Sequence, residues 1–224
     1  MGVCALLLAA PAVSRADTVV FSNFGAGSSY NTSVANPVGN AFDGNNYGEG
    51  DTFTPTSTTK LSSIDIALSC FSAGLCPDAF TVSLDTSSGD APSTVLESFS
   101  VAGTSLGLFG SSNAPIVLTS ILDPTLTSGT QYWVTVTSDL NDSIGWNLNS
   151  TGDPSDEALS FDGGASWFSP SGQTPGAYEV NGASSTTTPP VPEPSSLGLM
   201  MTGLLSLAAG RRFGVRSWRT SKAD

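Results

Sequence analysis

Residues 60–84 read KLSSIDIALSCFSAGLCPDAFTVSL. Leu61, Ile64, Ile66 and Leu68 approximate an every-second-residue spacing, and Phe80, Val82 and Leu84 keep it. Successive side chains of a strand point to opposite faces, so such runs bury one face of a sheet. Further short apolar runs follow at residues 95–101, 116–118, 132–136, 144–148 and 159–161, separated by Gly, Pro, Asn, Asp and Ser. None of them repeats with the 3.6-residue period of a helix. Many short strands at this spacing predict an all-β fold, a single β-sandwich or jelly-roll domain.

Outward from this block, charge sets the limits of the domain. Of nineteen acids only Asp224 falls outside residues 17–194, and of seven cations only Lys60 falls inside residues 17–210. The stretch from Asp17 to Pro194 therefore carries one Lys against eighteen acids, close to −17. Such a surface repels nucleic acid and anionic lipid. The chain has no histidine. That excludes a Ser-His-Asp triad, a Cys-His pair and a histidine metal centre. Residues 17–182 have the length of one domain.

Both flanks read as addresses. Residues 3–13 are apolar, broken at Pro11, and Ser14-Arg15-Ala16 places small residues at −3 and −1 of a cleavage site before Asp17. Residues 1–16 are thus expected to be a secretory signal peptide, cleaved between Ala16 and Asp17. At the other end, residues 183–194 are rich in Ser, Thr and Pro and read as a stalk. Pro189, Pro190, Pro192 and Pro194 lack backbone donors, so a helix starts no earlier than Ser195. Residues 195–212 are expected to form a short transmembrane helix with the Arg211-Arg212 pair at its end, and residues 213–224 a cytoplasmic tail.

The order Val191-Pro192-Glu193-Pro194-Ser195-Ser196, an apolar Leu/Gly/Ala run, then Arg211-Arg212 resembles the PEP-CTERM sorting signal of Gram-negative bacteria that make extracellular polysaccharide. The resemblance implies recognition by an exosortase, a membrane enzyme acting near Pro192-Glu193-Pro194. It also implies an inner-membrane-anchored precursor and delivery to the cell surface or matrix. The tail runs twelve residues past Arg212, longer than is usual for the family. A second, shorter likeness is carried by Leu126-Thr127-Ser128-Gly129-Thr130-Gln131-Tyr132-Trp133-Val134 with Gly145-Trp146, which resembles the "choice-of-anchor" β-sandwich domains of bacterial surface proteins.

Export makes a local disulfide the natural pairing of Cys70 and Cys76, which enclose five residues between two strand-like runs. Ser160-Phe161-Asp162-Gly163-Gly164-Ala165-Ser166-Trp167 resembles an Asp-box. Asp162, Gly163 and Gly164 suit a tight turn, and Trp167 is expected to pack back over it. The Asp-box occurs in sialidases as a structural hairpin. Those enzymes hold their substrate carboxylate with arginines, and residues 17–194 contain none.

Three weaker constellations remain. The run 43–51, Asp-Gly-Asn-Asn-Tyr-Gly-Glu-Gly-Asp, alternates oxygen ligands with glycines as Ca²⁺ sites do, though a plain Asx/Gly turn explains the same residues. Asp153, Asp156 and Glu157 are the nearest thing to a hydrolytic carboxylate pair, and their loop composition reads as solvated surface. Tyr47, Trp133, Trp146, Trp167 and Tyr178 could stack on sugars, but roughly half of a strand's aromatics face a sandwich core. The reading is a non-enzymatic exported protein, structural in the envelope or exopolysaccharide, with no catalytic residue, no metal site and no required cofactor. A carbohydrate- or calcium-binding module is the alternative, and a carboxylate-based polysaccharide hydrolase a third class.

Overall fold

The computed structural model describes residues 17–40, 43–138, 142–170 and 172–183. The expected signal peptide with Ala16, the sorting motif Val191, Pro192, Glu193 and Pro194, the helix with Arg211 and Arg212, and the tail all lie outside these residues. Among the described residues no helix is long and apolar enough to cross a membrane.

The fold is all-β and every ladder between strands is antiparallel. In chain order the strands are β1 (Asp17–Ser22), β2 (Ala35–Val38), β3 (Gly48–Phe53), β4 (Thr59–Ile66), β5 (Leu68–Cys70), β6 (Ala79–Ser87) and β7 (Pro92–Ala102). There follow β8 (Ile116–Thr119), β9 (Thr125–Leu126), β10 (Tyr132–Thr137), β11 (Ile144–Asn147), β12 (Glu157–Ser160) and β13 (Tyr178–Ala183). One sheet has the order β12-β3-β10-β6-β7; a second runs β1-β13-β4-β8, with β9 also on β4; a third is β2-β11-β5.

The second and third sheets meet at Ala67, between β4 and β5. Its N–H donates to the Ala177 carbonyl (3.0 Å) and its carbonyl accepts from the Asn147 N–H (2.9 Å). They thereby form a continuous layer facing the β12-β3-β10-β6-β7 sheet. The sequence alternation explains the packing between them. Leu61, Ile64, Ile66 and Val180 from one layer and Val82, Leu84, Val134 and Val136 from the other share one core, each almost fully buried. Tyr132 joins this core, whereas Trp133 points to the opposite face of β10.

Cys70, ending β5, is bonded to Cys76 with their Cα atoms 6.0 Å apart, and both are buried. The bridge closes a loop over the end of β11: the Phe71 N–H donates to the Ser143 carbonyl, and the Ser143 N–H to the Leu75 carbonyl, both at 2.9 Å.

Candidate functional site

Strand β3, GEGDTF, has two different faces. Gly48 and Gly50 look outward. A Cβ on Gly48 would lie 3.2 Å from Ser160 and Thr137 and 3.3 Å from the Trp167 ring; one on Gly50 would meet Thr135 at 3.1 Å and Trp133 at 3.5 Å. The glycines are there because indoles and threonine methyls pack flat on the strand. Glu49 and Asp51 look inward. Each stands opposite a core residue of β10, Val136 and Val134 respectively. On the other side of β3, Glu157 of β12 pairs with Asp51, so it shares the inward face.

Three carboxylates therefore lie inside the sandwich. Glu49 and Asp51 are 0 % exposed and Glu157 is 2 % exposed. The carboxyl groups of Glu49 and Glu157 meet each other. From the opposite layer, Asn36 on β2 donates its Nδ2–H to Glu157 Oε1 at 2.6 Å, and the Gly176 N–H donates to Asp51 Oδ2 at 2.8 Å. Asn36 also lies near Glu49, but outside hydrogen-bonding geometry. Both oxygens of Glu49, Oδ1 of Asp51 and Oε2 of Glu157 are buried without a hydrogen-bond partner. Burial, then the Glu157 carboxyl, then the charge of Asp51 push the pKa of Glu49 well up. Burial and the charge of Glu157 do the same to Asp51, against the Gly176 N–H.

Glu97 on β7 shows what a satisfied buried acid looks like in the same protein. It is 1 % exposed, and its oxygens accept from Ser120 Oγ (2.6 Å), the Ile121 N–H (2.7 Å) and the Leu122 N–H (3.1 Å). A carboxylate supplied with donors is a structural clasp; one without them bears a desolvation cost that nothing on the protein offsets.

The outer face of β3, β10 and β6 carries a second feature, a cleft lined by Ser83, Asp85, Thr135, Thr137, Gly164 and Trp167. Thr135 Oγ1 donates to Asp85 Oδ2 at 2.7 Å and lies 3.2 Å from Ser83 Oγ. Burial raises the Asp85 pKa to about 6, against the Thr135 hydrogen bond. Trp133, fully buried on this face, donates its indole N–H to Ser87 Oγ at 3.1 Å.

One wall of the cleft is the hairpin after β12. Asp162 accepts from the Ser160 hydroxyl (2.7 Å), the Ser166 N–H (2.8 Å) and the Ser166 hydroxyl (2.6 Å). These bonds, led by Ser166, hold its pKa down at about 2. Gly163 and Gly164 adopt φ of 74° and 91°, a left-handed conformation that favours glycine. The Trp167 ring lies against Gly164 and Gly48.

The run 43–51 is divided between two environments. Asp43 is exposed and accepts from the Asn45 N–H (3.0 Å), Asn45 Nδ2 (3.1 Å) and the Tyr47 hydroxyl (2.8 Å), an Asx turn. Glu49 and Asp51 are in the interior. Glu157 corrects its expected solvated setting, because pairing with β3 draws it into the sandwich, while Asp156 stays in the preceding loop. Asp153 accepts from Asn23 Nδ2 at 3.2 Å, and its charge is felt at Asp51. Of the aromatics, Trp146 and Tyr178 pack edge-on in the core with ring centroids 5.7 Å apart.

Residues 190–212 match the PEP-CTERM protein-sorting motif. The chain therefore carries that motif and is an exported protein, held at the membrane and then processed by an exosortase. No curated protein matches the chain. The likeness of residues 126–134 to choice-of-anchor domains gains no support from these matches.

Proposed function

We propose that the chain is a non-enzymatic structural protein of the Gram-negative cell surface or of its extracellular polysaccharide. A leader of residues 1–16 is removed at Ala16–Asp17, and the sandwich is freed or transferred when the exosortase acts near Pro192-Glu193-Pro194 and the Arg211-Arg212 pair holds the helix end inside. The observation that carries this reading is the sorting-motif match over residues 190–212. The domain's chemistry supports a structural role. Its inward acids, Glu49, Asp51 and Glu157, are sealed from any polymeric substrate, where a glycosidase needs its two carboxyl groups flanking the scissile bond. The domain also offers no histidine or arginine to position an anion.

Fractionation of a host with and without its exosortase tests the proposal. The expected result is matrix-associated protein in the first and inner-membrane precursor in the second. Equal matrix association in both would sink it.

The cleft beside Trp167 favours a second reading, a carbohydrate-binding module. An indole wall beside hydroxyls and one carboxyl is a surface on which a sugar ring can stack and hydrogen-bond. A glycan array with the wild type and Trp167→Ala separates the readings: binding that the variant loses favours the module.

A further inference from the structure

We propose that Glu49, Asp51 and Glu157 are the oxygen ligands of a hard divalent cation, Ca²⁺ foremost, held inside the sandwich between the β3–β12 pair and Asn36 of β2. Four carboxylate oxygens there are buried and lack donors: both of Glu49, Oδ1 of Asp51 and Oε2 of Glu157. They belong to neighbouring positions of one inward face, since Glu157 stands opposite Asp51 and Glu49 lies one diagonal step away. Neither oxygen of Glu49 accepts a hydrogen bond, its carboxyl meeting only that of Glu157 with Asn36 nearby, in contrast to Glu97, which has three donors.

The protein supplies no internal counter-charge. The only cation among residues 17–183 is Lys60, which is exposed on β4 of the other layer. Buried carboxyls are paired, bind a metal ion or keep their protons. A dication neutralises two of three carboxylates and takes up their free lone pairs.

The donor set selects the ion. It is all oxygen, which suits hard cations and disfavours zinc, with its preference for nitrogen and sulfur. Ca²⁺ takes six to eight oxygens in irregular geometry, whereas Mg²⁺ demands an octahedron and keeps several waters. A site whose acids are at most 2 % exposed favours the ion that sheds its water. Among the described residues no three acids already surround one point at metal-ligand distance. Binding therefore requires the Glu49, Asp51 and Glu157 carboxylates to regroup around the ion. This set differs from the 43–51 loop: Asp43, bound up in its own turn, takes no part.

The experiment uses the full chain in detergent, stripped with EDTA and melted in Ca²⁺, Mg²⁺ or monovalent salt of equal ionic strength. At about a hundredfold excess of free Ca²⁺ over Kd the melting temperature should rise on the order of 5–10 °C. Glu49→Gln with Glu157→Gln should abolish the rise while melting, metal-free, at or above the wild type. Asp43→Asn should keep the full response. On the wild type alone, Tb³⁺ luminescence sensitised by Trp146 and Tyr178 should appear and be displaced by Ca²⁺, a readout that stands even where the double variant fails to fold. The proposal is overturned if the wild type shows neither response. It is also overturned if Asp43→Asn removes the response or the double variant retains it. An infrared band of protonated carboxyl in Ca²⁺-saturated wild type, absent from the double variant, would show that shared protons hold the cluster instead.

Discussion

Glu157 of β12 stands directly across the ladder from Asp51 of β3, and both side chains face the sandwich interior. Like charges opposite one another destabilise a sheet. In EDTA near neutral pH, Glu157→Gln should therefore stabilise the fold by up to about 1 kcal/mol. The same replacement at Glu97 should have the opposite sign. It replaces one of the two accepting oxygens by an NH₂, so either the Ser120 hydroxyl or the 121–122 amides lose their acceptor, at a loss of about 1–3 kcal/mol. Urea unfolding of the two variants side by side checks the contrast.

Asp85 gives the protein a pH dependence of its own. Its folded pKa is about 6, raised from 3.8 by burial. The folded state thus holds a proton that the unfolded chain has released. Stability from this group is full below the unfolded value, falls as pH rises from about 4 to about 6, and is flat beyond. Asp85→Asn keeps an acceptor for Thr135 and has no charge to bury. It should be more stable than the wild type at about pH 7 and should lose that part of the slope, measured by urea unfolding across the window.

Reduction of Cys70–Cys76 opens a short loop. The loss should be about 2 kcal/mol, seen as a lower urea midpoint in reducing buffer. A double serine variant should show the same midpoint with and without reductant.

Replacing Pro192-Glu193-Pro194 by alanines should leave the melting temperature of the sandwich unchanged, because those residues lie beyond β13, which ends at Ala183. In an exosortase-positive host the variant should accumulate as membrane-held precursor, visible as a larger band on an immunoblot. Normal release into the matrix would assign the tail an ordinary anchoring role.

The strands that could be read from sequence were those whose apolar residues alternate. Residues 60–84 contain most of β4, β5 and β6 for that reason. Strand β3 escaped because Gly, Glu and Asp have low strand propensity and suggest a turn. Its conformation comes from its neighbours, with β10 on one side and β12 on the other. The inward acids escaped for a related reason: charged residues are seldom buried, so Glu157 in a Pro/Ser/Asp context reads as solvated. Only the register, which sets Asp51 beside Val134, reveals which face they occupy. Strand β1 (DTVVFS) was equally hidden, being short and next to a leader-like segment. The one local signal that did exist was the alternation of glycine with acid over 48–51, a two-residue period in which the small residue and the charge take opposite faces.

Strand β13 is the last element among the described residues, and it lies within its sheet rather than at the edge, bonded to β1 on one side and β4 on the other. Asp17 and Ala183 are paired across the β1–β13 ladder. Any tension on the chain beyond Ala183 thus pulls lengthwise on a strand held along both flanks. Rupture requires many hydrogen bonds to slide at once instead of opening in sequence from one end. The placement of β13 thus gives the sandwich a shear-resistant end on its C-terminal side.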